Sequence, residues 1–178
     1  MECSIQFRDG GHKQWVCTCP PGYIFHSLGL DKIHNGVIPW NGCGPHEWGD
    51  GVFILNTFLL PDELQPCCNA HDICYSTMYH DDNGITNLSD FKEKYKEFNR
   101  LDWGICDDVF QTCNKNKVND VPWYNIPKKA WVLFAGTVVS STVTEMSVDF
   151  HSKLDENGKT IWTKEWCVKK DEGLCTYD

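Results

Sequence analysis

Basic side chains are scarce in this sequence, and no long apolar run occurs in it. There are 16 lysines and arginines against 25 aspartates and glutamates, which gives a formal net charge of −9 at pH 7. Nucleic-acid binding depends on clustered lysines and arginines that contact phosphates, so this composition argues against a nucleic-acid partner. The longest apolar segment, residues 130–143, includes glycine, serine and threonine and is shorter than the roughly 20 residues that a membrane-spanning helix needs.

The first residues also lack the features of a secretory signal peptide. Met1-Glu2-Cys3 leads into polar sequence, with no apolar stretch behind a basic start. We therefore interpret the numbering as that of a mature or trimmed form. Cysteine, in contrast, is abundant, with 11 residues in a chain of 178. Because exported proteins convert cysteines into disulfides whereas the cytosol keeps them reduced, this number predicts a secreted, extracellular protein.

Length and composition indicate one domain. A chain of 178 residues with 41% hydrophobic content can bury a single ordinary core. We predict one domain over residues 1–178, made of an irregular N-terminal segment (1–39), a core region (about 40–116) and a C-terminal extension (117–178). The N-terminal segment is expected to be irregular because glycine and proline clusters interrupt it.

The periodicity of apolar residues predicts a mainly α, disulfide-rich fold. A proline suited to a first helical turn begins a helix over residues 66–79. Apolar residues at helical spacing indicate a second helix over residues 90–116. A third helix is predicted over residues 128–146, although its valines and threonines are almost as consistent with a strand. An Asn-Gly turn signal between residues 147–154 and 160–166 predicts a small β-hairpin near the C-terminus.

Four cysteines fall into two pairs with the same spacing. Cys67 and Cys74 are seven residues apart, as are Cys106 and Cys113. Seven residues are nearly two helical turns, so each pair lies along one stripe about 10 Å long. Two antiparallel helices can be joined by two disulfides, Cys67–Cys113 and Cys74–Cys106. A parallel arrangement satisfies the spacing too, but consecutive helices favour the antiparallel one.

Three chemically active side chains share these stripes. His71 lies between Cys67 and Cys74, and Tyr75 follows it by four residues. Asp107 comes directly after the first cysteine of the second pair. Because residues four apart lie on one helix face, joining the two helices is expected to bring an imidazole, a phenol and a carboxylate together.

A second face of the first helix has the features of a cation site. Cys68 points to that face, and Asp72 follows it by four residues. If Cys68 bonds to Cys43, the glycine-rich loop around Cys43 is drawn over Asp72. Glycines allow such a loop to turn its carbonyl oxygens inward. A carboxylate combined with backbone oxygens suits calcium.

Together these motifs resemble the secreted phospholipase A2 family. The resemblance is carried by the CCxxHDxCY run at residues 67–75, the Asn-Gly-Cys-Gly loop at 41–44 and the Cys-Asp-Asp-x-Phe-Gln-x-Cys helix at 106–113. The loop and the last motif are most similar to the group XII type. The resemblance covers roughly residues 40–80 and 103–116. These ranges include both pairs of cysteines that are predicted to join the two helices.

The resemblance implies calcium-dependent hydrolysis of the sn-2 ester of glycerophospholipids at a membrane or micelle surface. It assigns His71 as the general base and Asp107, supported by Tyr75, as the group that holds His71. It assigns calcium to the Asp72 carboxylate together with the backbone carbonyls of three loop residues, Gly42, Gly44 and His46. The Gly44 N–H is the expected oxyanion donor.

Other interpretations of the same residues stay open at this stage. The chain could be a catalytically silent phospholipase-like protein that acts in binding or in a matrix, although such proteins usually lose the base or the calcium carboxylate. His71 could be a buried structural histidine. In a reducing compartment, three of the cysteines together with His71 could bind zinc: Cys67, Cys68 and Cys74.

Five cysteines have no partner assigned from the sequence: Cys3, Cys17, Cys19, Cys167 and Cys175. Because five is an odd number, one thiol is expected to be free or to form an intermolecular disulfide.

The tryptophans divide into buried and exposed candidates. Trp103 and Trp131 are predicted to lie in the core, and Trp48 to be exposed. The apolar segment 48–60 is either a buried strand or core loop, or part of the rim of the active site that enters a lipid interface. Since the chain has a charge of −9, docking there would depend on apolar side chains rather than on electrostatic attraction.

Overall fold

A computed structural model of the chain describes residues 2–7, 13–26, 33, 35–36, 40, 43, 60–151 and 167–169. This part of the chain is mainly helical, with two small antiparallel sheets and five disulfides. The helices are α1 (Gln65–Thr77), α2 (Leu88–Lys94), α3 (Trp103–Asp120) and α4 (Ile126–His151). The strands are β1 (Glu2–Phe7), β2 (Lys13–Thr18), β3 (Tyr23–Phe25), β4 (Arg100–Asp102) and β5 (Cys167–Lys169).

Helices α1 and α3 form the centre of the fold, as the cysteine spacing predicts. Disulfides join Cys67 to Cys113 and Cys74 to Cys106, with a Cα–Cα distance of 5.6 Å in both. The first cysteine of α1 is thus bonded to the last cysteine of α3, so the two helices are antiparallel. Both predicted pairings and the antiparallel arrangement are confirmed.

The sequence analysis predicts an irregular N-terminal segment, and this prediction is wrong for the described residues that form β1, β2 and β3. β1 pairs antiparallel with β2, which pairs antiparallel with β4. A disulfide between Cys3 and Cys17 joins β1 to β2 at a position where these two residues lie opposite each other. In β1, apolar residues alternate with polar ones at Cys3, Ile5 and Phe7, and this period of two is typical of a strand.

The second sheet links the beginning of the chain to its end. β3 pairs antiparallel with β5, and Phe25 lies opposite Cys167. A disulfide between Cys19 and Cys167 joins the same two regions. Four of the five cysteines left unassigned above are therefore paired. The fifth, Cys175, lies outside the described residues.

The helix predicted over residues 90–116 is wrong as a single element. The chain forms α2, leaves the helix, forms the short strand β4 and only then begins α3. Long-range backbone hydrogen bonds stabilise the non-helical residues before β4. The N–H of Phe25 donates to the carbonyl of Phe98, and the N–H of Cys19 donates to the carbonyl of Asn99. Leu101 in β4 is fully buried, so core packing replaces the local helical bonds there.

The third predicted helix is confirmed as α4, with Pro127 in its first turn. It continues to His151, so the strand predicted over residues 147–154 is wrong for residues 147–151, and residues 152–154 lie outside the described residues. The sequence from 147 to 151 contains no glycine or proline that would end a helix. The second predicted strand, 160–166, lies outside the described residues, and β5 comes directly after it.

Packing between α3 and α4 completes the core. Val132 and Ala135 of α4 are buried, and the Asn114 amide donates to the Ser140 hydroxyl at 2.9 Å. A Cβ at Gly136 would come within 3.2 Å of the Asn114 Cβ, so a small residue permits this close approach. The helix that carries Asp107 is thereby packed against the longest helix of the described chain.

Candidate active site

Helices α1 and α3 bring His71 and Asp107 into direct contact. The His71 Nε2 atom lies 3.0 Å from Asp107 Oδ1, and the two side chains are 11% and 3% exposed. The residues are 36 positions apart in the chain, so the contact depends on the disulfides on either side of it. Cys106, which precedes Asp107, is bonded to Cys74, three residues after His71.

Tyr75 donates to the same carboxylate oxygen. Its hydroxyl lies 2.6 Å from Asp107 Oδ1, and its ring centroid lies 4.3 Å from that of His71. The backbone carbonyl of Tyr75 accepts a hydrogen bond from the buried indole N–H of Trp103 at 3.3 Å. His71, Tyr75 and Asp107, which the sequence predicts to be neighbours, therefore lie together, and Trp103 is buried as predicted.

A fourth side chain at the site was missed by the sequence reasoning. The buried ring of Phe110 lies with its centroid 4.7 Å from that of His71. Phe110 follows Asp107 by three residues, so both project from one face of α3. The three-residue spacing could have predicted from the sequence that Phe110 lies on the same face of the helix as Asp107. The imidazole is thus in contact with both the Tyr75 and Phe110 rings, which limits its rotation.

The contact with Asp107 selects one tautomer of His71 when the carboxyl group is a carboxylate. An ionised carboxylate only accepts hydrogen bonds, so Nε2 carries the hydrogen that is directed at Asp107. Nδ1 then retains its lone pair and can accept a proton. This arrangement of a basic imidazole, an orienting carboxylate and a supporting phenol is chemically suited to remove a proton from a bound water or hydroxyl group.

The second predicted feature, the loop that is anchored over Asp72, is described only in part. Cys43 is bonded to Cys68 with a Cα–Cα distance of 5.0 Å, which confirms the predicted pairing. Cys68 and Asp72 are one helical turn apart on α1, so Cys43 is joined to the face that carries the Asp72 side chain. Three predicted ligand residues lie outside the described residues: Gly42, Gly44 and His46.

The donor set is consistent with a hard cation. Asp72 is half-buried and contributes carboxylate oxygen, and the loop anchored at Cys43 is rich in glycine, whose backbone carbonyls can approach an ion closely. Oxygen ligands of these two kinds are those that calcium prefers. Within the residues that the structure covers, no group of three or more His, Cys, Asp or Glu side chains could hold a metal.

The zinc interpretation of the cysteines around His71 is wrong. Cys67, Cys68 and Cys74 are all bonded to other cysteines, so none is a thiolate ligand. Five disulfides in one chain agree with an oxidising compartment. No helix among the described residues is both long and apolar enough to cross a membrane.

Comparisons with protein-family models, with curated proteins and with solved structures found no match.

Proposed function

We propose that the protein is a secreted, calcium-dependent phospholipase A2 that hydrolyses the sn-2 ester of glycerophospholipids to a fatty acid and a lysophospholipid. One observation carries the proposal: His71 and Asp107 lie 3.0 Å apart between two disulfides. Asp107 also accepts from Tyr75. The sequence motifs around these residues, which resemble those of the secreted phospholipases, support the choice of substrate class.

In the proposed reaction, His71 acts as the general base. Its Nδ1 atom takes a proton from a water molecule as the water oxygen forms a bond to the ester carbonyl carbon. When the bond from this carbon to the glycerol oxygen breaks, the protonated His71 returns the proton to that leaving oxygen. Asp107 stabilises the imidazolium and keeps the ring oriented, in the way a carboxylate does in a hydrolase triad.

Calcium would be held by the Asp72 carboxylate and by the carbonyls of Gly42, Gly44 and His46. When bound, the ion supplies a Lewis acid for the ester carbonyl and a positive charge for the substrate phosphate. Asp72 contributes a fixed carboxylate from a helix whose three half-cystines hold it in place through three disulfides. The Gly44 N–H is the proposed donor to the oxygen that becomes negative in the transition state.

Two substitutions separate the base from the metal ligand. His71→Gln is expected to abolish hydrolysis of phospholipid vesicles and to leave calcium binding nearly intact, because His71 contributes no oxygen ligand. Asp72→Asn is expected to lose both. Hydrolysis is measured with calcium and with a chelator, and calcium binding by calorimetry. His80→Gln and Asp82→Asn, which change an exposed histidine and an exposed aspartate, are the matched controls.

The same measurements distinguish an enzyme from a silent phospholipase-like binding protein. An unmodified chain that binds calcium and vesicles but releases no fatty acid would favour the silent protein. Near-normal turnover in the His71 variant would contradict the role of the base. Normal calcium binding in the Asp72 variant would contradict the ligand set.

A further inference from the structure

The first half of α4 exposes an unusual number of apolar side chains. Trp131, which the sequence predicts to lie in the core, is 42% exposed, Phe134 is 60% exposed, and the rings of these two residues are stacked with centroids 5.9 Å apart. In the turn before the helix, Trp123 is 81% exposed. We call the following exposed residues the α4 surface: Trp123, Tyr124, Ile126, Trp131, Leu133, Phe134 and Val138.

The prediction for Trp131 is wrong because α4 buries only one of its faces. Val132, Ala135 and Ser140 are buried, and they lie on the side that packs against α3. At 100° per residue, Trp131 and Phe134 project from the other side of the helix. A helix on the surface of a soluble domain ordinarily carries polar side chains there. Contiguous exposed apolar side chains of this kind mark an interaction site.

Two exposed threonines on α4 beside the α4 surface are adapted to an environment poor in water. The Thr137 hydroxyl donates to the Leu133 carbonyl at 2.8 Å, and the Thr142 hydroxyl donates to the Val138 carbonyl at 2.9 Å. Because each hydroxyl has a partner within the helix itself, transferring it out of water leaves no donor unsatisfied. This lowers the cost of placing the helix face against an apolar medium.

The local charge is opposite to that of the whole chain. Residues 121–144 contain two lysines, Lys128 and Lys129, and no aspartate or glutamate, although the chain has a net charge of −9. The helical period places these lysines on opposite edges of the apolar face. The Lys128 ammonium group is paired with Glu63, whereas Lys129 can extend its ammonium group toward phosphates while its aliphatic stem stays in apolar surroundings.

We propose that the α4 surface docks on a phospholipid bilayer, with α4 lying in the plane of the interface. Exposed tryptophan and tyrosine are typical of protein surfaces at the boundary between headgroups and acyl chains. Lys129 at one edge of the face complements the headgroup phosphates. A second copy of the chain fits less well, because a symmetric contact would bring the same lysines face to face and join two chains of charge −9.

This docking surface is made of other residues than the apolar segment 48–60, and it does not require that the protein hydrolyse its lipid. The residues of the α4 surface include none of the side chains of the candidate active site. Lipid binding can therefore be tested with phospholipids whose chains are attached by ether bonds, which no ester hydrolase can cleave. A failure of the proposed activity would leave such a measurement unaffected.

The test compares binding to diether phosphatidylcholine vesicles that contain a minor fraction of diether phosphatidylglycerol. The double variant Trp131→Ser/Phe134→Ser is expected to bind at least about tenfold more weakly than the native chain, because two large exposed rings no longer leave water. Trp123→Ser, in the turn before the helix, is expected to weaken binding independently. Phe7→Ser removes a 71% exposed phenylalanine from β1 and is the matched control.

Circular dichroism and the thermal midpoint establish that each variant is folded. Weaker binding by the α4 variants with unchanged binding by Phe7→Ser supports the proposal. The proposal is overturned by equal affinity in the native chain and the double variant, or by a native chain that does not bind the vesicles. It is also overturned if the double substitution abolishes a dimer of the native chain and leaves vesicle affinity unchanged.

Discussion

Asp107 Oδ1 accepts two hydrogen bonds, one from the His71 imidazole at 3.0 Å and one from the Tyr75 hydroxyl at 2.6 Å. The Asp107 side chain is almost fully buried, so water cannot replace either donor easily. Hydrogen bonds to a charged acceptor are stronger than neutral ones. The position of this single oxygen therefore determines the orientation of the imidazole.

Tyr75→Phe is expected to decrease kcat without changing calcium binding. The substitution removes one donor to Asp107 and keeps the ring that packs against His71. The loss should be about five- to thirtyfold, equivalent to the roughly 1–2 kcal/mol of one hydrogen bond to a charged group. The pH profile of kcat should change as well, since the carboxylate that stabilises the imidazolium has lost a partner.

Tyr124→Phe is the control when kcat is measured on a dispersed short-chain substrate, which requires no lipid docking, because it removes an exposed hydroxyl that is remote from this carboxylate in the chain. An unaltered kcat and pH profile in Tyr75→Phe would show that its hydroxyl does not contribute to the orientation of His71.

The residues of the site could be predicted from the sequence because helical geometry fixes which side chains share a face. The positions of His71, Tyr75 and Asp107 follow from their spacing to cysteines seven residues apart. Phe110 was missed because an apolar residue on a helix ordinarily belongs to the core, and only its contact with the imidazole distinguishes it. Trp103 was predicted to be buried, but its hydrogen bond to the Tyr75 carbonyl depends on tertiary packing.

At the scale of the helices, the disulfide between Cys74 and Cys106 connects stability to activity. It joins positions 32 residues apart, one next to Asp107 and one near His71. Cys74→Ser/Cys106→Ser is expected to decrease the free energy of unfolding by about 2–4 kcal/mol. We also expect a large loss of hydrolysis, because α1 and α3 can then shift relative to each other. Urea unfolding and vesicle hydrolysis provide the two measurements.

The disulfide between Cys3 and Cys17 is the matched control, since it joins two strands at a separation of 14 residues. Cys3→Ser/Cys17→Ser is expected to decrease stability to a comparable extent while hydrolysis is retained. If both double variants kept full activity, the proposed dependence of the catalytic geometry on the first disulfide would be contradicted.

A pH-dependent contact joins α4 to the short 3-10 helix before α1, formed by Asp62–Leu64. The Lys128 Nζ group forms an ion pair with Glu63. The hydrogen bond that Lys128 donates within this ion pair lowers the pKa of the Glu63 carboxyl from its ordinary value, and partial burial opposes the shift. Because the folded-state pKa is the lower one, the stabilisation is present above the ordinary value of about 4.3. It is lost as the pH falls through the lowered pKa.

Glu63→Gln is therefore expected to destabilise the fold at pH 7 by at most about 1 kcal/mol, since Lys128 is largely exposed. The difference from the native chain should vanish at pH values below the lowered pKa. Urea unfolding from pH 7 to pH 3 measures it. Asp120→Asn removes the charge of an aspartate that is paired with Lys117 and is more exposed than Glu63. It should decrease the free energy of unfolding by less than Glu63→Gln does. A difference that stays constant over this pH range would contradict the ion-pair origin.

The elements that the sequence analysis predicted wrongly share a dependence on distant partners. β4 interrupts a run of apolar residues at helical spacing because it pairs with β2, about 85 residues earlier in the chain. No local pattern includes that partner. The N-terminal strands are different, since the alternation in β1 was visible in the sequence and glycine and proline clusters nearby obscured it.

For the molecule as a whole, the charge of −9 limits how it can approach a lipid surface. Anionic lipid repels most of the chain, so docking is expected to depend on apolar side chains rather than on net charge. We predict that raising the salt concentration from low to physiological values changes vesicle affinity by less than about threefold. Vesicle sedimentation at several salt concentrations measures this. Binding that is lost at moderate salt would contradict the prediction.

The segment 48–60 offers a second test of apolar docking, although residues 44–59 lie outside the described residues. Trp48→Ala is predicted to weaken vesicle binding and to leave hydrolysis of a dispersed short-chain substrate unchanged. Combined with the α4 variants, it determines whether one surface or two contact the lipid. Unchanged vesicle affinity would favour the alternative in which this segment is a buried strand or core loop.

The disulfide between Cys19 and Cys167 has a consequence for the order of events during synthesis. Its partners are 148 residues apart, so at ordinary translation speeds Cys19 waits roughly 10–30 s before Cys167 is made. Cys17 lies two residues from Cys19 and has a nearby partner in Cys3. If the disulfide between Cys3 and Cys17 forms first, neither residue remains available to pair incorrectly with Cys19. A nascent chain that stops before Cys167 would carry a reactive thiol at Cys19, open to thiol–disulfide exchange with the machinery that retains incompletely oxidised proteins.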